Sequence, residues 1–253
     1  MTDTPSPQDA FSGADPSPAA SAPGDSLIGR LRDLVVNPRR LMDNVGARPR
    51  WWQAGLLIFV VIVAFSWLTV PISAPEQAEM MRDSKLMQMM PEEAWQAQYD
   101  AALNVSPGKR AVQSLTAGMT SWLMVLVFGF ILGFFVRMSG GKGTFRQALG
   151  VVSWGALLPF AVGPLVKLPL VLITESVLQV NVGLAALASG DTTSALFKIL
   201  ATYGDFLIWW GVIVLIIGFE RVFSLTRNAA LISVLLPWAL LNALPLAMYI
   251  LFM

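Results

Sequence analysis

The chain has 253 residues, of which 55% are hydrophobic and only 13% charged, with a formal net charge of +1. Ordinary soluble domains carry about 25% charged residues, so this balance, with a mean hydropathy of +0.63, places the chain in lipid. Near-neutral charge leaves no basic field for nucleic acid, and the absence of cysteine and histidine removes disulfides, Ser-His-Asp and thiolate chemistry, iron–sulfur clusters and HExxH metal sites.

In chain order, residues 1–25 are rich in Pro, Ser, Ala and Asp. They hold too little apolar surface to offset chain entropy, which predicts a disordered tail. They also lack the basic-then-apolar order of a signal peptide. Residues 26–50 read as a basic, amphipathic helical segment on the cytosolic side. Leu27, Ile28, Leu31, Leu34 and Val35 share one helical arc, with Arg30, Arg32 and Asp33 off it. Asn37-Pro38 ends that helix, and a second follows with Leu41, Met42 and Val45. Arg39, Arg40, Arg48 and Arg50 crowd the same region. Two readings are open and compatible: an interfacial helix pair with its cations toward lipid headgroups, and helices packed on the cytosolic ends of the spans.

Five apolar runs follow, each near the roughly 20 residues needed to cross a hydrocarbon core. They are Trp51 to Val70, closed by Pro71; about Leu115 to Val136; about Ala148 to Leu172; about Leu196 to Phe219; and about Ala229 to Met253. The fold class is thus an all-α integral membrane protein, a bundle of five transmembrane helices filling residues 51–253. Eleven of the Lys and Arg residues lie on the N-terminal segment and the second-to-third and fourth-to-fifth loops. This predicts a cytosolic N-terminus and an outer C-terminus.

Residues 71–114 form an outer loop predicted to be helical, with Pro91-Glu92-Glu93 as a helix start. Met80, Met81, Leu86, Met87, Met89 and Met90 make it Met-rich. Thioethers suit Cu(I), but methionine is also an adaptable packing residue, and packing is the stronger reading. No cofactor or metal is expected.

Gly129 and Gly133 form a GxxxG within the second span, a device for close helix approach in this bundle or in a dimer. Gly140-Gly141-Lys142-Gly143-Thr144 superficially resembles a phosphate loop. It fails the G-x-x-x-x-G-K-[ST] pattern and lies between two spans. It reads as a tight cytosolic turn, and no nucleotide is expected. Pro159, Pro164 and Pro169 in the third span, and Pro237 and Pro245 in the fifth, are predicted helix kinks. GALLPFAVGPL and SVLLPWALLNALPL also suggest a faint parallel repeat, a feature of some transporters.

Polar groups inside spans are costly and point to function; the candidates are Asp205, Lys167 and Asn242. Asp205 stands fifteen positions before Glu220, about 22 Å along a helix, and thus about 8 Å inside the outer boundary. Lys167 stands twenty positions after Gln147, about 30 Å along the third span and so near the outer boundary, from which a lysine can reach down and a carboxylate up. The two can pair, or Lys167 can snorkel outward while Asp205 caps or hydrogen-bonds a neighbouring helix.

Three stretches resemble the bacterial branch of the Yip domain family, membrane proteins named as Ypt/Rab-GTPase interactors. LRDLVVNPRRLMDNV resembles the family's helix ahead of the first span. GGKGTFRQALGVVSWGALLPF resembles its glycine turn and following span. YGDFLIWWGVIVLIIGFERVFSLTRNAA resembles its fourth span. The likeness covers residues 27–253 and implies a five-span bundle with a cytosolic N-terminus. Eukaryotic relatives act with small GTPases in vesicle trafficking. The Met-rich loop and the tail depart from those relatives, so a GTPase partner is not carried over. The expected role is a non-catalytic, membrane-organising or partner-binding protein of the bacterial inner membrane, with the bilayer, another membrane protein or a second copy as partners. The alternative is a transporter or lipid translocator using the third and fifth spans and Asp205.

Overall fold

The computed structural model describes residues 26–82, 91–187, 197, 199, 200 and 203–252, with residues 187, 242 and 244–252 as backbone only. The tail 1–25, Leu86, Met87, Met89 and Met90, and the side chains of Asn242 and Pro245 lie outside these residues.

Among the described residues the regular structure is helical throughout. Helix α1 (Leu27–Val36) begins where the Ser26 side chain accepts from the Gly29 amide. It stops at Asn37, because a residue preceding proline is pushed out of the α region. Pro38 then opens α2 (Pro38–Ala47), capped by the Asn37 side chain at the Arg40 amide.

Helix α3 (Trp51–Arg82) overturns the expectation that Pro71 closes the first span, for it continues through Pro71 and Pro75. A proline cannot donate to the carbonyl four residues back, which for Pro71 is that of Trp67. Here the Arg110 guanidinium donates to the Trp67 carbonyl and lies 4.6 Å from the Trp67 ring centroid. The orphaned acceptor is satisfied from a neighbouring helix, so the chain can stay helical.

After α4 (Glu92–Leu103), with Glu92 and Glu93 in its first turn, comes α5 (Pro107–Met138). The third span is composite: α6 (Phe145–Leu157), a π-helical turn (Leu158–Val162) and α7 (Gly163–Thr174). The fourth span is shorter than predicted. Helix α8 (Phe206–Phe223) starts only after a break at Gly204 and Asp205. The last helix, α9, runs Arg227–Phe252.

Helices α3, α5, the composite Phe145–Thr174 and α8 are long and apolar enough to cross a membrane. Only 22–33% of their most apolar windows is buried by protein. Leu56, Val60, Leu123, Phe130, Leu170 and Ile213 all face outward. So large an apolar surface is supportable in lipid but not in water, and the chain is a multi-pass membrane protein. Helix α3 packs on α5 and α6, and α8 packs on α2, α6 and α9. The core lies toward the end holding α1 and α2. Its largest fully buried side chains include Trp154, Phe219, Phe223, Leu41 and Met42.

Candidate functional site

Three separate stretches meet at the basic end of the bundle: the α1–α2 segment, the Gly140–Thr144 turn and the exit of α8. The turn is built by local chemistry. Thr144 caps α6 by accepting from the Gln147 amide at 3.3 Å, while Gln147 Oε1 accepts from the Thr144 amide at 2.8 Å. This is a reciprocal capping box. The other half of the same amide, Gln147 Nε2, donates to the Gly46 carbonyl at 2.8 Å and so ties the turn to the end of α2.

The glycines of the turn answer to packing. Gly140 has φ +88°, a region that disfavours other residues. A Cβ on Gly143 would stand 2.5 Å from the Phe223 ring, and one on Gly141 would stand 2.9 Å from the Val136 carbonyl oxygen. The Lys142 amide donates to the Phe223 carbonyl at 3.3 Å. The Lys142 side chain is exposed.

Helix α1 is held by a charge that the apolar pattern placed off its buried face. Arg30 is fully buried. Its two terminal nitrogens each lie 3.4 Å from the Arg48 carbonyl, and its guanidinium carbon lies 5.8 Å from the centre of the Trp154 ring. The Trp210 indole donates to the Leu34 carbonyl at 3.4 Å. The predicted arc is therefore split: Leu34 faces inward, while Ile28 and Val35 face away from the bundle. The physical cause is that Trp154 and the Arg48 carbonyl offer Arg30 an interior partner, which rotates the helix toward them. Arg221 clamps α2 through a bidentate pair with Asp43, both bonds at 2.9 Å.

At the opposite end the structure brings Lys167 and Asp205 together, with Nζ 3.7 Å from Oδ2. Asp205 is not within a helix as the sequence suggested. It caps α8, with its Oδ1 accepting from the Leu207 amide at 2.8 Å. The loop after α7 fixes this cap. A Cβ on Gly183 would lie 2.4 Å from the Gly204 carbonyl oxygen, and the Leu184 amide donates to that oxygen at 3.1 Å. Nearby, the Val177 amide donates to Glu76 at 2.9 Å. Tyr99 donates to Glu79 at 2.9 Å, and this bond raises the pKa of the Tyr99 phenol above its ordinary value.

The prolines fall in different settings. Pro159 sits in the π-helical turn, Pro164 in the first turn of α7, and Pro169 inside α7. Pro237 lies within the unbroken helix α9, so the two halves of the proposed repeat differ here. Gly129 and Gly133 are buried against the neighbouring α6. A Cβ on Gly129 would stand 2.5 Å from Leu149 Cδ2, and one on Gly133 would stand 3.0 Å from Ala148 Cβ.

Sequence reasoning missed Arg30, Arg110, Gln147 and the close crossing of Gly155 with Gly211. A Cβ on Gly211 would stand 3.0 Å from the Gly155 carbonyl oxygen. Two of these left a legible signal. T-x-x-Q ahead of an apolar run is a capping box, and a proline inside an apolar run orphans a carbonyl that needs a donor.

The Yip1 domain model matches residues 32–248. The chain belongs to the Yip family. No curated protein and no solved structure matches it. The Yip domain begins within α1, after Arg30, and ends within α9, so it contains α2, the Gly140–Thr144 turn and the Lys167–Asp205 pair.

Proposed function

We propose that this Yip-family protein is a non-catalytic, membrane-organising or partner-binding protein of a bacterial cytoplasmic membrane. It crosses the bilayer five times, α9 being the fifth span, with the basic end in the cytosol. One observation carries the reading. Helix α1 is clamped on its inner side by the buried Arg30, yet it presents Ile28, Val35 and Val36 outward at 78, 58 and 70% exposure. A rigidly mounted apolar strip beside a cluster of arginines is suited to the boundary between headgroups and acyl chains, or to a partner lying there.

The transporter reading has less support. The cavity beside Pro159 has a volume of about 220 Å³, and no charged residue is among its described lining. Lys167 and Asp205 are turned toward each other.

Purification in mild detergent, with the accompanying proteins and lipids identified, tests the proposal. A stoichiometric partner or a defined lipid set should be lost when Ile28 and Val35 are both changed to Asn, with thermal stability retained. Solute or lipid flux in reconstituted vesicles that Asp205→Asn abolishes would overturn it. Orientation has its own check: a C-terminal alkaline phosphatase fusion should be active, and inactivity would remove the five-span topology.

A further inference from the structure

A groove of about 270 Å³ is lined by residues of α2, α8 and α9 toward the basic end. Its α8 wall is one helical stripe. Ile213, Ile216, Ile217 and Glu220 follow one another at offsets of three, four and seven, so they share a face. Glu220 stands about 10 Å along the axis from Ile213. On α9, Arg227 and Leu231 repeat the order one turn apart. Both walls are therefore charged beside the α8–α9 turn and apolar away from it. Arg39 adds a second guanidinium from α2.

The charges of this groove are not placed for the stability of their own helices. Glu220 lies in the last turn of α8, and Arg227 is the first residue of α9. The helix dipole disfavours an anion at the carboxyl end and a cation at the amino end. Nor do printed neighbours absorb the cations. Among the described residues, neither Arg39 nor Arg227 forms an ion pair or a side-chain hydrogen bond. Arg221, next to Glu220, is held by Asp43 at 2.9 Å and is not among the described lining. The apolar part opens on lipid, since α8 is long and apolar enough to cross a membrane and Ile213 is 42% exposed.

We propose that this groove binds a phospholipid with a primary-amine headgroup, of the phosphatidylethanolamine class, from the leaflet at the basic end. Arg39 and Arg227 engage the phosphate, Glu220 accepts from the ammonium, and an acyl chain lies along Ile213 and Ile217. Guanidinium suits two-point recognition of phosphate. The carboxylate sets the headgroup: it finds no donor on a glycerol headgroup of net negative charge, and a quaternary amine has no N–H to give it. The volume falls just under the 300–1,000 Å³ of sites that enclose a whole small ligand, as suits a lipid whose chains stay largely in the bilayer. None of the α1 residues that carry the membrane-organising reading lines the groove, so the inference goes beyond that reading.

The test is native mass spectrometry of the full-length protein in detergent, offered equal amounts of phosphatidylethanolamine, phosphatidylglycerol and phosphatidylcholine. The expected result is one phosphatidylethanolamine retained in preference to both others. Glu220→Gln should lower its preference over phosphatidylglycerol about tenfold, and Arg39→Gln with Arg227→Gln should lower its retention about tenfold or more. Lys142→Gln removes an exposed cation outside the groove and should change neither. Thermal unfolding of each variant confirms that the fold persists. Equal retention of the three lipids, a preference for phosphatidylglycerol, or an undiminished preference in folded Glu220→Gln overturns the proposal. So does an equal effect of Lys142→Gln, which would make the attraction a general one. Displacement of the lipid by soluble phosphoethanolamine at the same concentration also overturns it, since the chain would then contribute nothing. Loss of a protein partner from the Ile28/Val35 variant leaves this measurement unchanged, so the two readings fail separately.

Discussion

The side chain of Gln147 serves two ends at once: its oxygen completes the cap of α6 with Thr144, and its nitrogen donates to the carbonyl of Gly46, 101 positions earlier. The two roles can be separated. Thr144→Ala removes only the cap and should cost about 1 kcal/mol. Gln147→Ala leaves the Thr144 hydroxyl on the backbone amide of residue 147 but removes both the Oε1 half of the capping box and the tertiary bond, so it should cost about 1 kcal/mol more. Thermal or chemical unfolding in detergent measures both. Equal losses would mean that the bond to Gly46 contributes nothing.

The Gly140–Thr144 turn is predicted to respond to bulk and not to charge. Gly143→Ala forces a methyl group into the Phe223 ring and should destabilise by about 1–3 kcal/mol. Lys142→Ala should stay within about 0.5 kcal/mol of the parent, as expected for an exposed side chain. Saturable ATP or GTP binding that Lys142→Ala abolishes would contradict the account of this turn.

Arg110 and Pro71 should be coupled through the Trp67 carbonyl. Arg110→Met leaves the Trp67 carbonyl without a donor and also removes the contact with the Trp67 ring; the expected loss is about 2 kcal/mol. Pro71→Ala restores a backbone N–H at position 71, which becomes available to that carbonyl. The same Arg110 change should then cost about 1 kcal/mol less. Strict additivity in the double-mutant cycle would show that Arg110 acts only through the ring.

Lys167 and Asp205 are partly shielded, with side-chain exposures of 30 and 13%. Losing one partner should cost about 1–3 kcal/mol, between the exposed and fully buried cases. Asp205→Asn keeps an amide oxygen for the α8 cap, whereas Asp205→Ala loses cap and charge and should cost about 1 kcal/mol more. Lys167→Met combined with Asp205→Asn should recover much of the sum of the single losses. Simple addition would mean that the 3.7 Å approach carries no energy.

Much of the fold was legible because apolar length alone decides whether a helix suits a bilayer, since lipid cannot satisfy an open backbone. The helix pair before the first span, the start at Glu92 and the turn at Gly140 were readable from proline, acidic and glycine positions, whose effects are local. The end of α3 was not. Pro71 terminates a helix only when its orphaned carbonyl lacks a donor, and that donor, Arg110, lies 43 positions away from Trp67. The start of α8 was misjudged for a similar reason. The apolar run continues upstream of Phe206, but the Gly183–Gly204 contact breaks the helix there and turns Asp205 into a cap.

The sequence by itself determined the environment, the helical class and the concentration of arginine around residues 30–50, because these follow from composition and short-range periodicity. Only the tertiary structure decided which arginines turn inward. Arg30 and Arg48 are eighteen positions apart on a basic stretch, yet Arg30 is buried beside Trp154 while Arg48 lines an exposed recess with Arg146. Arg30 turns inward because its partners are supplied across the fold, by the Trp154 ring and the Arg48 carbonyl. A guanidinium goes wherever desolvation is best offset.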